Sequence, residues 1–199
     1  MSELDINWKP EFGTIYTWFA MDKKGHIAMM VNNCFGDLPL CLLKIPNIKS
    51  LFDDITDYIW DESEKYKAYS INKHGNTILD LYSHMKFKHM KDRLEVRAWI
   101  DARSDSNMRI RECNVPSIKG VFVYYGVEGN KEGDDYPVGY EGNTKMGDYF
   151  RYLVPTNYSS IEDFPQELRG GIAKSELIDF NIDRILFNEK INDYFPKTC

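Results

Sequence analysis

Residues 14–20, TIYTWFA, alternate along the chain: Ile15, Thr17 and Phe19 fall on one face, Tyr16 and Trp18 on the other. A turn sequence follows, Asp22-Lys23-Lys24-Gly25, with Asp and Gly where a tight turn prefers them. HIAMMVN then alternates again, placing Ile27, Met29 and Val31 on one face. Two period-two runs around a glycine-containing connection predict a β-hairpin. Pro39 and Pro46 bracket a short apolar connector, LCLLKI, and Pro46 disfavours helix immediately before it. From Asn47 the period changes. Ile48, Leu51, Phe52, Ile55, Tyr58 and Ile59 recur at steps of three and four, which predicts an amphipathic helix with one buried stripe and Asn47 as its cap. Its polar face carries Asp53, Asp54, Asp57, Asp61 and Glu64.

Further on, Asn76 or Thr77 as a cap and the spacing of Ile78, Tyr82 and Met85 predict a helix over 77–91. Residues 92–111 read equally as helix or strand. GVFVYYGV at 120–127 is β-branched and aromatic and predicts a strand. DYFRYLVP at 148–155 predicts its antiparallel return. Between them lies a stretch, 128–147, with five Gly, three Glu and two Asp, which predicts a long surface loop of the kind that often carries function. SSIEDFPQELRGG reads as a capped short helix, LIDFNIDRILF as a final strand or packed turn, and the residues through Phe195 and Pro196 as a short helix or tail. The expected fold is α+β: a mainly antiparallel sheet, built on the N-terminal and central hairpins, with a few packed helices in a single domain over 1–199.

Composition narrows the function classes. At 199 residues a chain can bury about 70% of the surface that its unfolded form exposes, so no staple is needed. The net charge is −6, and Lys and Arg form no long run, which disfavours a nucleic-acid partner and suits a basic protein partner. The 13 Tyr, 11 Phe and 4 Trp serve a core or a contact surface equally well. The opening residues lack the basic and apolar segments of a secretory signal, and no apolar run approaches the ~20 residues needed to span a bilayer. The expectation is a cytoplasmic protein with reduced thiols and no membrane partner.

Chemical motifs are sparse. The chain has no G-x-S-x-G, no Walker A loop and no G-x-G-x-x-G. Cys34, Cys41, Cys113 and Cys199 include no CxxC pair. His84 and His89, five apart, do not share a helical face as i, i+4 ligands would, and His26 and His74 stand alone. No cofactor, metal or catalytic residue is expected. The Asp53, Asp54, Asp57, Asp61 face reads as a solvated surface, an acidic contact surface or, last, a catalytic or cation site.

The chain resembles the immunity proteins of bacterial polymorphic and contact-dependent toxin systems. The resemblance rests on the hairpin from Trp18 to Ala28 with Phe35-Gly36-Asp37-Leu38-Pro39 after it, the strand beginning Lys119-Gly120-Val121-Phe122-Val123, Tyr152-Leu153-Val154-Pro155, and Phe164-Pro165-Gln166-Glu167-Leu168 followed by Ile185-Leu186-Phe187. Tyr124-Tyr125 stand where Tyr-Asp is common. The resemblance implies a non-enzymatic inhibitor that occludes the active site or substrate path of a cognate toxin domain, often a nuclease with a basic cleft. Candidate contacts are Glu132, Asp134, Asp135, Tyr136 and Tyr140 in the loop, with Asp53, Asp57, Asp61 and Glu64 on the helix second. Reversing Asp134 and Asp135 to Lys is expected to weaken the complex and leave the fold intact. A small enzyme with an Asp/His/Tyr site and a phage or plasmid adaptor domain are the alternatives.

Overall fold

The computed structural model describes residues 4–67, 73–102 and 114–199. The first hairpin forms as its alternation predicts, from β1 (Thr17–Met21) and β2 (Ile27–Val31), in register Trp18 to Met30 and Ala20 to Ala28. The connector between the prolines closes into one helical turn, α1 (Leu40–Leu43). The three-four periodicity becomes α2 (Ile48–Trp60), burying Ile48, Phe52, Ile55, Tyr58 and Ile59. Asn47 starts α2 in the left-handed region (φ 57°) with no side-chain bond to the first turn, so the expected cap is not made.

The helix expected over 77–91 is not there. The segment divides into β3 (Thr77–Leu79), β4 (Tyr82–Ser83) and a single turn, α3 (His84–Phe87). Thr77, Leu79, Leu81 and Ser83 are buried while Ile78 is exposed, a period-two pattern that runs beneath the three-four spacing of Ile78, Tyr82 and Met85. Backbone bonds follow it: Asp80 N–H donates to Tyr152 and Leu81 N–H to Arg151. Of the open stretch 92–111, the part up to 102 is α4 (Arg93–Ala102), begun by Asp92, whose carboxylate accepts the N–H groups of Leu94 and Glu95 at 2.8 and 3.0 Å. The remainder lies outside the described residues, as does Cys113. A turn, α5 (Val115–Ile118), then leads into β5 (Phe122–Gly126). The long loop contains β6 (Pro137–Val138), which pairs with β4 in a small separate sheet, and delivers the chain to β7 (Tyr149–Pro155). The last elements are α6 (Gln166–Arg169), β8 (Ile172–Lys174), β9 (Ile185–Leu186), α7 (Ile191–Tyr194) and β10 (Lys197–Thr198).

The main sheet runs β10-β8-β1-β2-β5-β7-β3, with β9 also on β7. Both hairpins are antiparallel, but β1 pairs β8 and β2 pairs β5 in parallel, so the sheet is mixed rather than mainly antiparallel. The α+β class stands. The parallel pairs arise because the segments after each hairpin return over the sheet instead of turning back along its edge. A parallel return needs such a crossover, and covering both faces makes the central strands apolar on both sides. One cluster holds Phe19, Met21, Ile27, Met29, Val123 and Phe150 against Ile55, Ile59, Val96, Ile100 and Leu168. The other holds Trp18, Met30, Phe122, Tyr124 and Tyr149 against Phe52, Phe180, Ile191 and Phe195. Along β7 the alternation breaks where Tyr152 and its neighbour Leu153 both join the first cluster. Val123 faces Leu153 and Tyr124 faces Arg151, leaving Tyr152 as the extra residue of a β-bulge beside Phe150 on the first face.

Candidate functional site

The acids of α2 are less free than an exposed charged face implies. Asp53 pairs with Lys49 at 2.7 Å and Asp54 lies 3.9 Å from Lys65. Asp61, at the helix C-terminus (φ 58°), meets the buried Lys119 at 2.5 Å, and the same ammonium donates to the Ile59 carbonyl. Asp61 is therefore part of a clamp between α2 and the segment before β5. Asp57 and Glu64 are exposed, and among the described residues no cation lies within 4.0 Å of either.

The loop residues divide by burial. Asp135 is buried, and its carboxylate accepts the Ser83 hydroxyl at 2.8 Å, the Met85 N–H at 3.0 Å and the Glu128 N–H at 3.4 Å. It fastens the loop to β4 and α3 and presents no surface to a partner. Asp134 accepts the Asn130 N–H, and the exposed Glu132 accepts the Met146 N–H at 3.1 Å. Tyr136 is 46% exposed and stacks on His84, ring centroids 4.5 Å apart and planes 12° apart. Tyr140 is half-buried against the first apolar cluster.

In the sequence the acidic helix and the glycine-rich loop stand more than 60 residues apart, as two separate surfaces. Ile15, 59% exposed just ahead of β1, joins them. On one side it lines a depression of about 320 Å³ with Lys49, Phe52, Asp53 and Thr56 of α2. On the other it lines a cavity of about 350 Å³ with Lys86, Phe87, Tyr125, Glu128, Phe150 and Tyr152, the extra residue of the β7 bulge. Glu128 is half-buried at the start of the loop. Burial first, and the Asp135 charge second, hold its carboxyl above the usual carboxylate range, while Lys86 draws it back. Phe12, 82% exposed, precedes Ile15 on the same segment.

Two polar clusters escaped sequence reading. Asp22, His26 and Asp179 bring their ligand-type atoms within 4.8 Å of one another. Asp22 is buried and all four of its lone-pair directions are used: Oδ1 accepts Lys24 N–H and His26 N–H, and Oδ2 accepts Phe180 N–H at 2.9 Å and faces His26 Nδ1 at 3.2 Å. The Lys24 ammonium lies 2.8 Å from Asp179, supplying positive charge to the cluster. That donor set is satisfied as a tie between the first hairpin and the turn before β9, and it leaves no carboxylate lone pair of Asp22 for a metal ion. The Tyr158 ring lies 4.5 Å from the His26 ring. The Asp-Lys-Lys-Gly turn announced the first half of this tie, but its partner lies more than 150 residues away. In the second cluster Asp80 sits between Arg151 at 2.7 Å and Arg184 at 2.7 Å, in the gap along β7 between β3 and β9. Arg151 also donates to the Phe180 carbonyl at 2.6 Å.

The cysteines offer little chemistry. Cys34, Cys41 and Cys199 are free, and burial pushes the Cys41 thiol up to about 11. Among the described residues no helix is long and apolar enough to cross a membrane. No protein-family model, curated protein or solved structure matches the chain.

Proposed function

We propose that the chain is an immunity-type binding protein, which neutralises a cognate toxin domain by covering its active site or substrate path. The observation that carries this reading is the position of Ile15. An exposed apolar side chain between two depressions, with Asp53 in the lining of one and Glu128 in the lining of the other, has the anatomy of a protein contact: an apolar anchor with charged side chains beside it. The net charge of −6 favours a basic toxin surface, for which a nuclease cleft is the natural example. In this reading the partner is a protein, nucleic acid is disfavoured by the charge sign, and the cytoplasm is the place of action. Asp57, Glu64, Glu132 and Tyr136 are exposed and are offered as secondary contacts. Asp135 supports it from within, and Asp61 is engaged in the clamp with Lys119.

Co-expression with the toxic C-terminal domain encoded upstream of the gene tests the proposal. Restored growth together with co-purification is the expected result. Toxicity unrelieved by the protein, with no complex recovered, removes it.

A second reading has one observation in its favour. Asp22, His26 and Tyr158 gather in space, and a buried carboxylate facing Nδ1 is the usual way to orient an imidazole whose Nε2 serves as a base. None of three depressions among the described residues is lined by Asp22, His26 or Tyr158. A His26→Ala variant that keeps its toxin-neutralising power disposes of the enzyme reading.

A further inference from the structure

We propose that the cavity walled by Phe87, Tyr125, Phe150 and Tyr152, with Glu128 in its lining, receives a basic side chain of the protein partner, arginine or lysine. The inference rests on the preceding reading only for the source of the occupant. The preference for a cation rests on the cavity itself.

The walls are aromatic, and ring faces attract cations. The protein already shows this attraction. Lys86, exposed at α3, holds its ammonium 5.1 Å from the Tyr125 ring centre and 5.7 Å from that of Phe87. Lys86 lines the same cavity and its charge reaches Glu128 without an ion pair within 4.0 Å; an incoming guanidinium or ammonium competes with it for those faces and can pair with Glu128 directly. The Glu128 carboxylate receives no hydrogen bond and lies within 4.0 Å of no cation among the described residues. It is nonetheless half-buried beside the second carboxylate of Asp135. A desolvated acid next to a like charge is costly to hold empty, and pairing with a cation relieves both costs at once. The volume, about 350 Å³, exceeds that of an arginine side chain, and the cavity opens beside exposed Ile15, so an apolar contact and a basic anchor fit a single partner surface. Of the charged side chains in the lining, Lys86 has its ammonium over the aromatic rings, and an anionic occupant would meet the Glu128 carboxylate with the Asp135 charge behind it.

The test is a chemical-shift titration of the isolated protein with three probes: Nα-acetyl-arginine methylamide, its neutral citrulline counterpart and Nα-acetyl-aspartate methylamide. The arginine probe is expected to perturb Met85, Tyr125 and Glu128 and to bind about tenfold tighter than citrulline. Glu128→Gln should abolish that preference while keeping a folded spectrum. Lys86→Ala, which removes the internal competitor, should tighten arginine binding about threefold. Equal binding of arginine and citrulline, indifference to Glu128→Gln, or a preference for aspartate that Lys86→Ala destroys overturns the proposal. No toxin enters this experiment. Failed growth rescue with intact arginine preference therefore strikes the immunity reading alone, and lost preference with intact rescue strikes the cavity alone.

Discussion

The Ser83 hydroxyl donates to the buried carboxylate of Asp135 at 2.8 Å, joining a residue of the short strand β4 to one in the glycine-rich loop. With the Met85 and Glu128 N–H groups on the same carboxylate, this contact sets where the loop begins and holds Glu128 beside the aromatic cavity.

Asp135 and its neighbour Asp134 should therefore behave oppositely on substitution. Asp135→Ala leaves one buried and two part-buried donors without their acceptor and should cost about 2–4 kcal/mol in chemical denaturation. Asp134→Lys should stay within about 0.5 kcal/mol of the parent. The double reversal to Lys, expected from sequence to leave the fold intact, instead buries an unpaired ammonium and loosens the loop. Equal effects of the two single changes would contradict this assignment.

Asp22 should matter more than any exposed acid. Its carboxylate accepts from both ends of the first turn and from Phe180, so Asp22→Ala should lower stability by about 3 kcal/mol or more. Hydrogen exchange reads this locally, since the amides of Lys24, His26 and Phe180 should lose protection together. Loss at Lys24 and His26 with Phe180 unaffected would show that the tie to the distant turn is not formed.

Glu128 gives a pH signature. Its folded carboxyl titrates above the usual range, so the fold disfavours the charged form. The penalty is present above the folded pKa, is relieved as pH falls through it, and is gone below the unfolded value, about 4.3. Glu128→Gln should accordingly be slightly more stable than the parent at pH 7, by about 0.5 kcal/mol at most, with the difference fading on acidification. A Gln variant less stable at pH 7 would mean that the carboxylate has a stabilising partner.

The parts of the fold legible in the sequence were those decided locally. The first hairpin and α2 each carry a single period over five or more residues, and the β5–β7 pair is marked by its β-branched and aromatic residues. Residues 77–83 carry two periods at once, and the choice between them was made elsewhere: β7 offers its edge to Thr77–Leu79, and the two arginines claim Asp80. The parallel pairings of β1 with β8 and β2 with β5 depend on how the segments between cross the sheet, which no local pattern records. The acids show the same division. Asp53 and Asp57 are exposed on α2 as their helical positions predict. Asp135 is buried because Ser83 and Met85, fifty residues earlier, fold against it, and a loop rich in glycine and acid gives no sign of that. Ile15 was placed in a strand face. Its exposure follows from lying just before β1, where the sheet's cover ends.

The affinity of the toxin complex for parent, Ile15→Asp and Ile182→Asp proteins, measured by calorimetry with folding checked by circular dichroism, bears most directly on the binding face. Both isoleucines are exposed, at 59% and 69%, but only Ile15 lies between the two depressions. Ile15→Asp should weaken the complex at least tenfold, about 1.4 kcal/mol, and Ile182→Asp should leave it unchanged. An Ile15→Asp protein that binds as tightly as the parent would place the contact surface elsewhere.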